Sequence, residues 1–230
     1  MKALVIAERQ DAARELAAGA RTMADEVVLV SFGEAPEGVA DKVARISVPE
    51  GTVLDDAADT VIAVFDAEAP SVVLVEPTRH MKTVAGKLAA HAGASVITDV
   101  MSFEDGAKSL YFGGVAERVQ KPATDVAFYT VSAGTFAGLE ASGANAVEDV
   151  AWVAPANPVK LLASKPIEKS GVDLFKADAV VAAGRGFAEE ADLDLARALA
   201  DKLGGAIACS RPLTEGVNWL PTELYVGVSG

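Results

Sequence analysis

Two arginines are the residues best placed to do chemistry in this chain. Arg185 sits in Gly184-Arg185-Gly186, between the apolar run Ala179-Val180-Val181-Ala182-Ala183 and a helical stretch at 193–203. Glycines after a strand let a phosphate approach backbone N–H groups, and the dipole of a following helix favours negative charge. Against this, Glu189, Glu190 and Asp192 at the helix start oppose an anion, and neither a dinucleotide fingerprint nor Gly-Lys-Ser/Thr is present. The competing reading is a tight turn with a surface arginine. Arg211 follows Ser210 directly after the apolar run Ala206-Ile207-Ala208-Cys209. In an open parallel sheet, that C-terminal strand end is where ligands sit. A guanidinium there can stack on or hydrogen-bond a flat, electron-rich ring, and its fixed charge stabilises a reduced anionic form. Here the competing reading is an arginine paired with one of the 33 acids.

Other constellations give less. His80 and His91 are eleven residues apart, about 16 Å along a helix, too far to share a metal, and read as solvated helix residues. Ser102, Ser109 and Ser132 lack the Gly-x-Ser-x-Gly context of a hydrolase nucleophile. Trp152 and Trp219 read as packing residues rather than stacking platforms. Cys209, the only cysteine, forms no internal bridge, fits a reducing compartment and removes any cysteine-based zinc framework. No paired acids, triad or metal ligands emerge, which argues for a binder or carrier over a self-contained catalyst.

The elements that must position the arginines follow from hydrophobic period. Apolar runs at 3–7, 27–30, 43–48, 72–75 and 95–100 alternate with helical patterns at 11–23, 54–67 and 78–91. Strands that are nearly all apolar belong to a parallel sheet covered on both faces. The expected fold is therefore α/β, an open and mostly parallel sheet with helices on both faces. Residues 110–112 and 125–131 favour strand and are expected as a hairpin or as added edge strands around the turn-like 121–124. Residues 138–146 read as a surface loop, 150–153 as one more strand, and 164–171 as a linker. The βα pattern then restarts, ending in a trailing strand at 225–230. So small a second piece rarely closes a core of its own and is expected to lean on the first domain or a partner.

With 20 Lys+Arg against 33 Asp+Glu, the net charge is −13. Phosphate backbones attract clustered bases, so nucleic acid is excluded as a partner. No uncharged stretch approaches the roughly 18 residues of a membrane helix, and the apolar opening is cut short by Glu8, Arg9 and Asp11. No membrane insertion is expected, and the location expected is cytoplasmic.

The order and spacing of the C-terminal motifs are specific. A strand ends in Gly184-Arg185-Gly186-Phe187, Leu199-Ala200-Asp201-Lys202-Leu203-Gly204 closes a helix, a strand ends in Ser210-Arg211-Pro212, and Val226-Gly227-Val228-Ser229-Gly230 follows. This stretch closely resembles the alpha subunit of electron transfer flavoproteins. Ala3-Leu4-Val5-Ile6-Ala7-Glu8, Val84-Ala85-Gly86-Lys87-Leu88-Ala89-Ala90, Ser95-Val96-Ile97-Thr98-Asp99-Val100 and Tyr111-Phe112-Gly113-Gly114 extend the resemblance over nearly the whole chain.

The resemblance implies an N-terminal α/β domain at 1–172 that packs on an electron transfer flavoprotein beta subunit, and a partial FAD-binding domain at 173–230. It further implies that Arg185 and Ser210 contact FAD and that Arg211 lies over the isoalloxazine and tunes its potential. Val226, Gly227, Val228 and Ser229 would form a loop whose hydroxyl reaches the flavin ring, with Ser229 replacing the threonine of many relatives. The implied heterodimer carries electrons from flavin dehydrogenases to a downstream acceptor. Family members continue with another strand, a glycine-rich loop, a Gln-His flavin contact and an acidic residue for the adenosine end. None of these occurs here, so the chain is expected to hold only the start of the flavin domain. The alternative is a nucleotide-binding or structural interaction module without a redox cofactor.

Overall fold

The computed structural model describes residues 1–165 and 173–227. They form two compact units, Met1–Ala163 and Ser164–Gly230. Of the linker expected at 164–171, residues 166–171 lie outside the described residues.

The first unit runs β1 (Lys2–Ala7), α1 (Gln10–Arg21), β2 (Glu26–Ser31), β3 (Lys42–Ile46), α2 (Ala58–Glu68), β4 (Val72–Val75), α3 (Arg79–His91), β5 (Val96–Val100), β6 (Ala107–Tyr111), β7 (Ala116–Gln120), β8 (Ala127–Val131) and β9 (Ala146–Val150). Seven strands form one sheet in the order β5-β8-β4-β1-β2-β3-β9, and every pair is parallel. Alternate residues of each strand face opposite sides, so each interior strand feeds two cores. Ala3, Val5, Leu29 and Leu74 pack with Leu16 and Ala17 of α1, while Leu4, Ile6, Val28 and Val73 pack with Val61 and Phe65 of α2 and Val84 and Leu88 of α3. Gly19 on α1 is required by close approach, because a Cβ there would run into the Phe136 ring. Thr78 caps α3, its hydroxyl accepting from the Met81 amide at 3.2 Å.

Two strand expectations are corrected. Residues 125–131 neither join a hairpin nor lie at an edge, because β8 pairs with β4 on one side and β5 on the other. All five of its residues are buried, and a strand buried on both faces belongs in the sheet interior. The hairpin is β6 with β7, antiparallel. Its turn at Phe112–Gly114 places Gly113 and Gly114 at φ 66° and 96°, the left-handed region that glycine favours. The last strand of the sheet is Ala146–Val150 rather than 150–153, and Trp152 packs on the core beyond it. Its exposed, acidic sequence hides a strand, and an edge position tolerates it because its first four residues, on both faces, are exposed. Arg45 reaches Asp149 and Lys42 reaches Glu148 across the β3–β9 pair, at 2.6 Å each.

The second unit carries β10 (Val180–Ala183), α4 (Leu193–Lys202) and β11 (Ala206–Cys209). The two strands are parallel, with Ala183 beside Cys209. Ala183, Leu193, Ala196, Cys209, Leu213 and Leu220 form its core, with Trp219 packed against it. Gly204, at φ 63°, stops α4, and Gly205 is required because a Cβ would collide with the Ala179 carbonyl.

Candidate functional site

Three chain segments meet at the C-terminal end of the small β10–β11 sheet. After Ala183 the chain turns through Gly184-Arg185-Gly186, closed by a 3.3 Å hydrogen bond from the Phe187 amide to the Gly184 carbonyl. After Cys209 come Ser210 and Arg211. The Ser210 amide donates to Ala183 at 2.9 Å, which extends the ladder and draws Ser210 against Gly184. A Cβ on Gly184 would stand 3.6 Å from the Ser210 hydroxyl oxygen. The third segment arrives from a distance in sequence. Tyr225 bridges Cys209 in parallel sense, and the Val226 amide donates to the Cys209 carbonyl at 2.9 Å. Val226 and Gly227 therefore leave beside Ser210 and Arg211.

This topology brings five of the seven candidate residues to one edge: Arg185, Ser210, Arg211, Val226 and Gly227. Val228 and Ser229 lie outside the described residues, as does the end of the trailing strand expected at 225–230. Arg185 is exposed. Arg211 begins a short helical turn, Pro212–Gly216, and its Nε donates to Glu215 at 2.6 Å. That hydrogen bond and the charge behind it hold the guanidinium above its usual range. The reading of Arg211 as an arginine paired with an acid thus describes its present state. Glu215 was not among the candidates, although its spacing of four residues from Arg211 is the signal that finds it.

The carboxylates that made an anion at α4 implausible have a local role. Glu189 and Asp192 form a reciprocal capping box at the start of the helical segment, with the Glu189 amide donating to Asp192 at 3.1 Å. The two carboxylates thus serve the start of the helix itself, the Glu189 side chain accepting from the Asp192 amide. Cys209 is buried, and burial pushes its thiol up, so it packs as a neutral side chain.

The donor set at this edge suits a flat cofactor bearing a diphosphate. It offers two guanidinium groups, a hydroxyl and a turn with glycine on both sides of Arg185, open enough for close approach because a Cβ on Gly186 would meet nothing within 4 Å. In the first unit the two histidines each meet an aspartate rather than water alone. His80 Nδ1 lies 2.5 Å from Asp55 and His91 Nε2 lies 2.8 Å from Asp66.

Comparison with known proteins covers both units. The electron transfer flavoprotein domain matches residues 3–156, and the electron transfer flavoprotein FAD-binding domain matches residues 173–230. Protein FixB of Salmonella typhi is 34% identical over 229 residues, spanning 94% of this chain and 73% of the relative. Protein FixB of Escherichia coli O127:H6 is 32% identical with the same coverage.

Proposed function

The chain belongs to the electron transfer flavoprotein family as an alpha-type subunit, and from that premise we propose that its second unit holds FAD through Arg185, Ser210, Arg211 and the segment Val226, Gly227, Val228 and Ser229. The family match to the FAD-binding domain over 173–230 carries the cofactor assignment. The reading as a module without redox cofactor is not favoured by it. A beta subunit is the partner that membership implies, with residues 1–172 as the domain that packs on it and 173 onward as the flavin domain.

FAD supplies the one- and two-electron chemistry, and the protein sets where the cofactor sits and how easily it is reduced. The Arg185 guanidinium supplies positive charge and forked donors for the diphosphate. Ser210 offers a hydroxyl donor beside Gly184, where the missing side chain leaves room. Arg211 places a fixed positive charge near the ring and favours the reduced, anionic form. Ser229 offers a hydroxyl to the ring edge. No proton has to be moved by a side chain, which agrees with a carrier.

Electrons arrive, on this reading, from flavin dehydrogenases and leave to a downstream acceptor, with the −13 charge steering encounters. Among the described residues no helix is long and apolar enough to cross a membrane. A cytoplasmic location is supported by the one thiol, buried at Cys209. The test is co-expression with a candidate beta subunit, followed by the visible spectrum of the purified complex. Flavin bands near about 375 and 450 nm are expected. A colourless heterodimer that takes up no added FAD refutes flavin binding by this chain.

A further inference from the structure

In the first unit the strand order reverses between β1 and β4, and the crevice beyond the C-terminal ends of two such strands is where open α/β sheets hold ligands. Here a carboxylate fills it. Glu76, the residue after β4, is 1% exposed. One of its oxygens accepts from the amides of Glu8 and Arg9, which follow β1, at 2.7 and 3.0 Å. The other accepts from Arg9 Nε at 2.5 Å. Alongside, Glu15 of α1 accepts from the amides of Gly134 and Phe136, in the loop after β8, at 3.1 and 3.0 Å.

Four main-chain N–H groups and one guanidinium at the C-terminal end of a parallel sheet are the donors a phosphate takes in such a crevice. Two carboxylates have already taken them. The space left, lined by Arg9, Asp11, Glu15, Glu76, Val131 and Ser132 among others, is about 150 Å³, below the roughly 300 Å³ at which ligand pockets begin. Asp11 adds a third negative charge to its wall. An entering phosphate would meet like charges, and displacing Glu76 would strand a buried carboxylate without its donors.

We infer that Glu76 and Glu15 act as built-in anions that close the first unit's switch-point crevice to phosphate-bearing ligands, and that removing these carboxylates converts it into a phosphate site. The inference is independent of where FAD binds. It separates two properties that the fold normally couples: the nucleotide-type sheet is kept for packing, while its ligand position is occupied by the chain itself.

The test is a titration of the isotopically labelled full chain with inorganic phosphate, at ionic strength matched with chloride, followed at the amide resonances of Glu8, Arg9, Gly134 and Phe136. All four lie in the first unit, so phosphate held near Arg185 or Arg211 does not enter the readout. In the unsubstituted chain the four amides are expected to stay in place. In Glu15→Ala, the Gly134 and Phe136 amides should shift saturably over a phosphate range that leaves them in place in the unsubstituted chain. Glu15→Ala combined with Glu76→Gln should extend the shift to Glu8 and Arg9. Glu15 is only partly buried, so Glu15→Ala keeps the test decisive if the double variant does not fold. Saturable shifts in the unsubstituted chain, or none in folded Glu15→Ala, overturn the inference.

Discussion

At the scale of single residues, Arg211 carries the sharpest consequence. Its charge is shared with Glu215 at 2.6 Å on a surface where both side chains are more than half exposed. Such a pair is worth little to stability, yet in the proposed FAD site it would set the field the flavin feels. Removing the guanidinium by Arg211→Ala should lower the flavin potential by roughly 20–40 mV, corresponding to about 1–2 kcal/mol for a two-electron couple. Glu215→Gln should raise it, because the positive charge is then uncompensated. Potentiometric titration of the flavin-loaded heterodimer measures both, and an unchanged potential in both variants removes Arg211 from the site. The position of Arg211 was legible in the sequence, since an apolar run ends two residues earlier. Its partner was not, because the pairing needs a helical turn at Pro212–Gly216, where a proline suggests a break; at the first position of a turn, proline costs nothing.

At the scale of elements, Glu68 shows how the sheet is tied to a helix. The last residue of α2, it accepts from Lys2 of β1 at 2.7 Å and from Lys42 of β3 at 2.6 Å. Burial pushes its carboxyl up, but the two ammonium groups overcome this and hold it below its usual range. A lowered folded pKa means stabilisation that is present above the ordinary value of 4.5 and lost as pH falls through the folded one. Glu68→Gln should therefore cost roughly 1–2 kcal/mol at pH 7 and less at about pH 3. Urea unfolding midpoints at the two pH values test this, and an equal loss at both would assign the effect to packing rather than charge. Hydrophobic period alone located β1, β2, β4 and all four helices, because a two-sided core makes interior strands continuously apolar. They misassigned β8 for want of an order: an apolar strand beside turn residues pairs locally or crosses to the sheet centre, and its own sequence does not distinguish these. β9 was misplaced for the opposite reason, since Glu148 and Asp149 hide a strand that sits at the sheet edge, where Lys42 and Arg45 of β3 reach them.

At the scale of the whole molecule, the division into Met1–Ala163 and Ser164–Gly230 has unequal consequences. The first unit closes two cores on its own sheet. Residues 1–163 expressed alone should unfold in urea as one cooperative transition, read by circular dichroism; a non-cooperative loss of signal contradicts independent folding. The second unit leaves Leu195 and Leu199 of α4, and Leu203 directly after it, at least half exposed at helical spacing, so its described part covers one core only. The sequence by itself determined the α/β class, the −13 charge, the candidate arginines after apolar strands and the family, because these depend on residue type and local period. Only the tertiary structure decided which strands are neighbours. It brought Val226 beside Ser210, joined Arg211 to Glu215, and set Glu76 across the reversal between β1 and β4. The first and last of these join residues far apart along the chain through backbone hydrogen bonds or charge, and such pairings are chosen by the packing of the whole sheet, whereas the Arg211–Glu215 pair needs only the local helical turn at Pro212–Gly216.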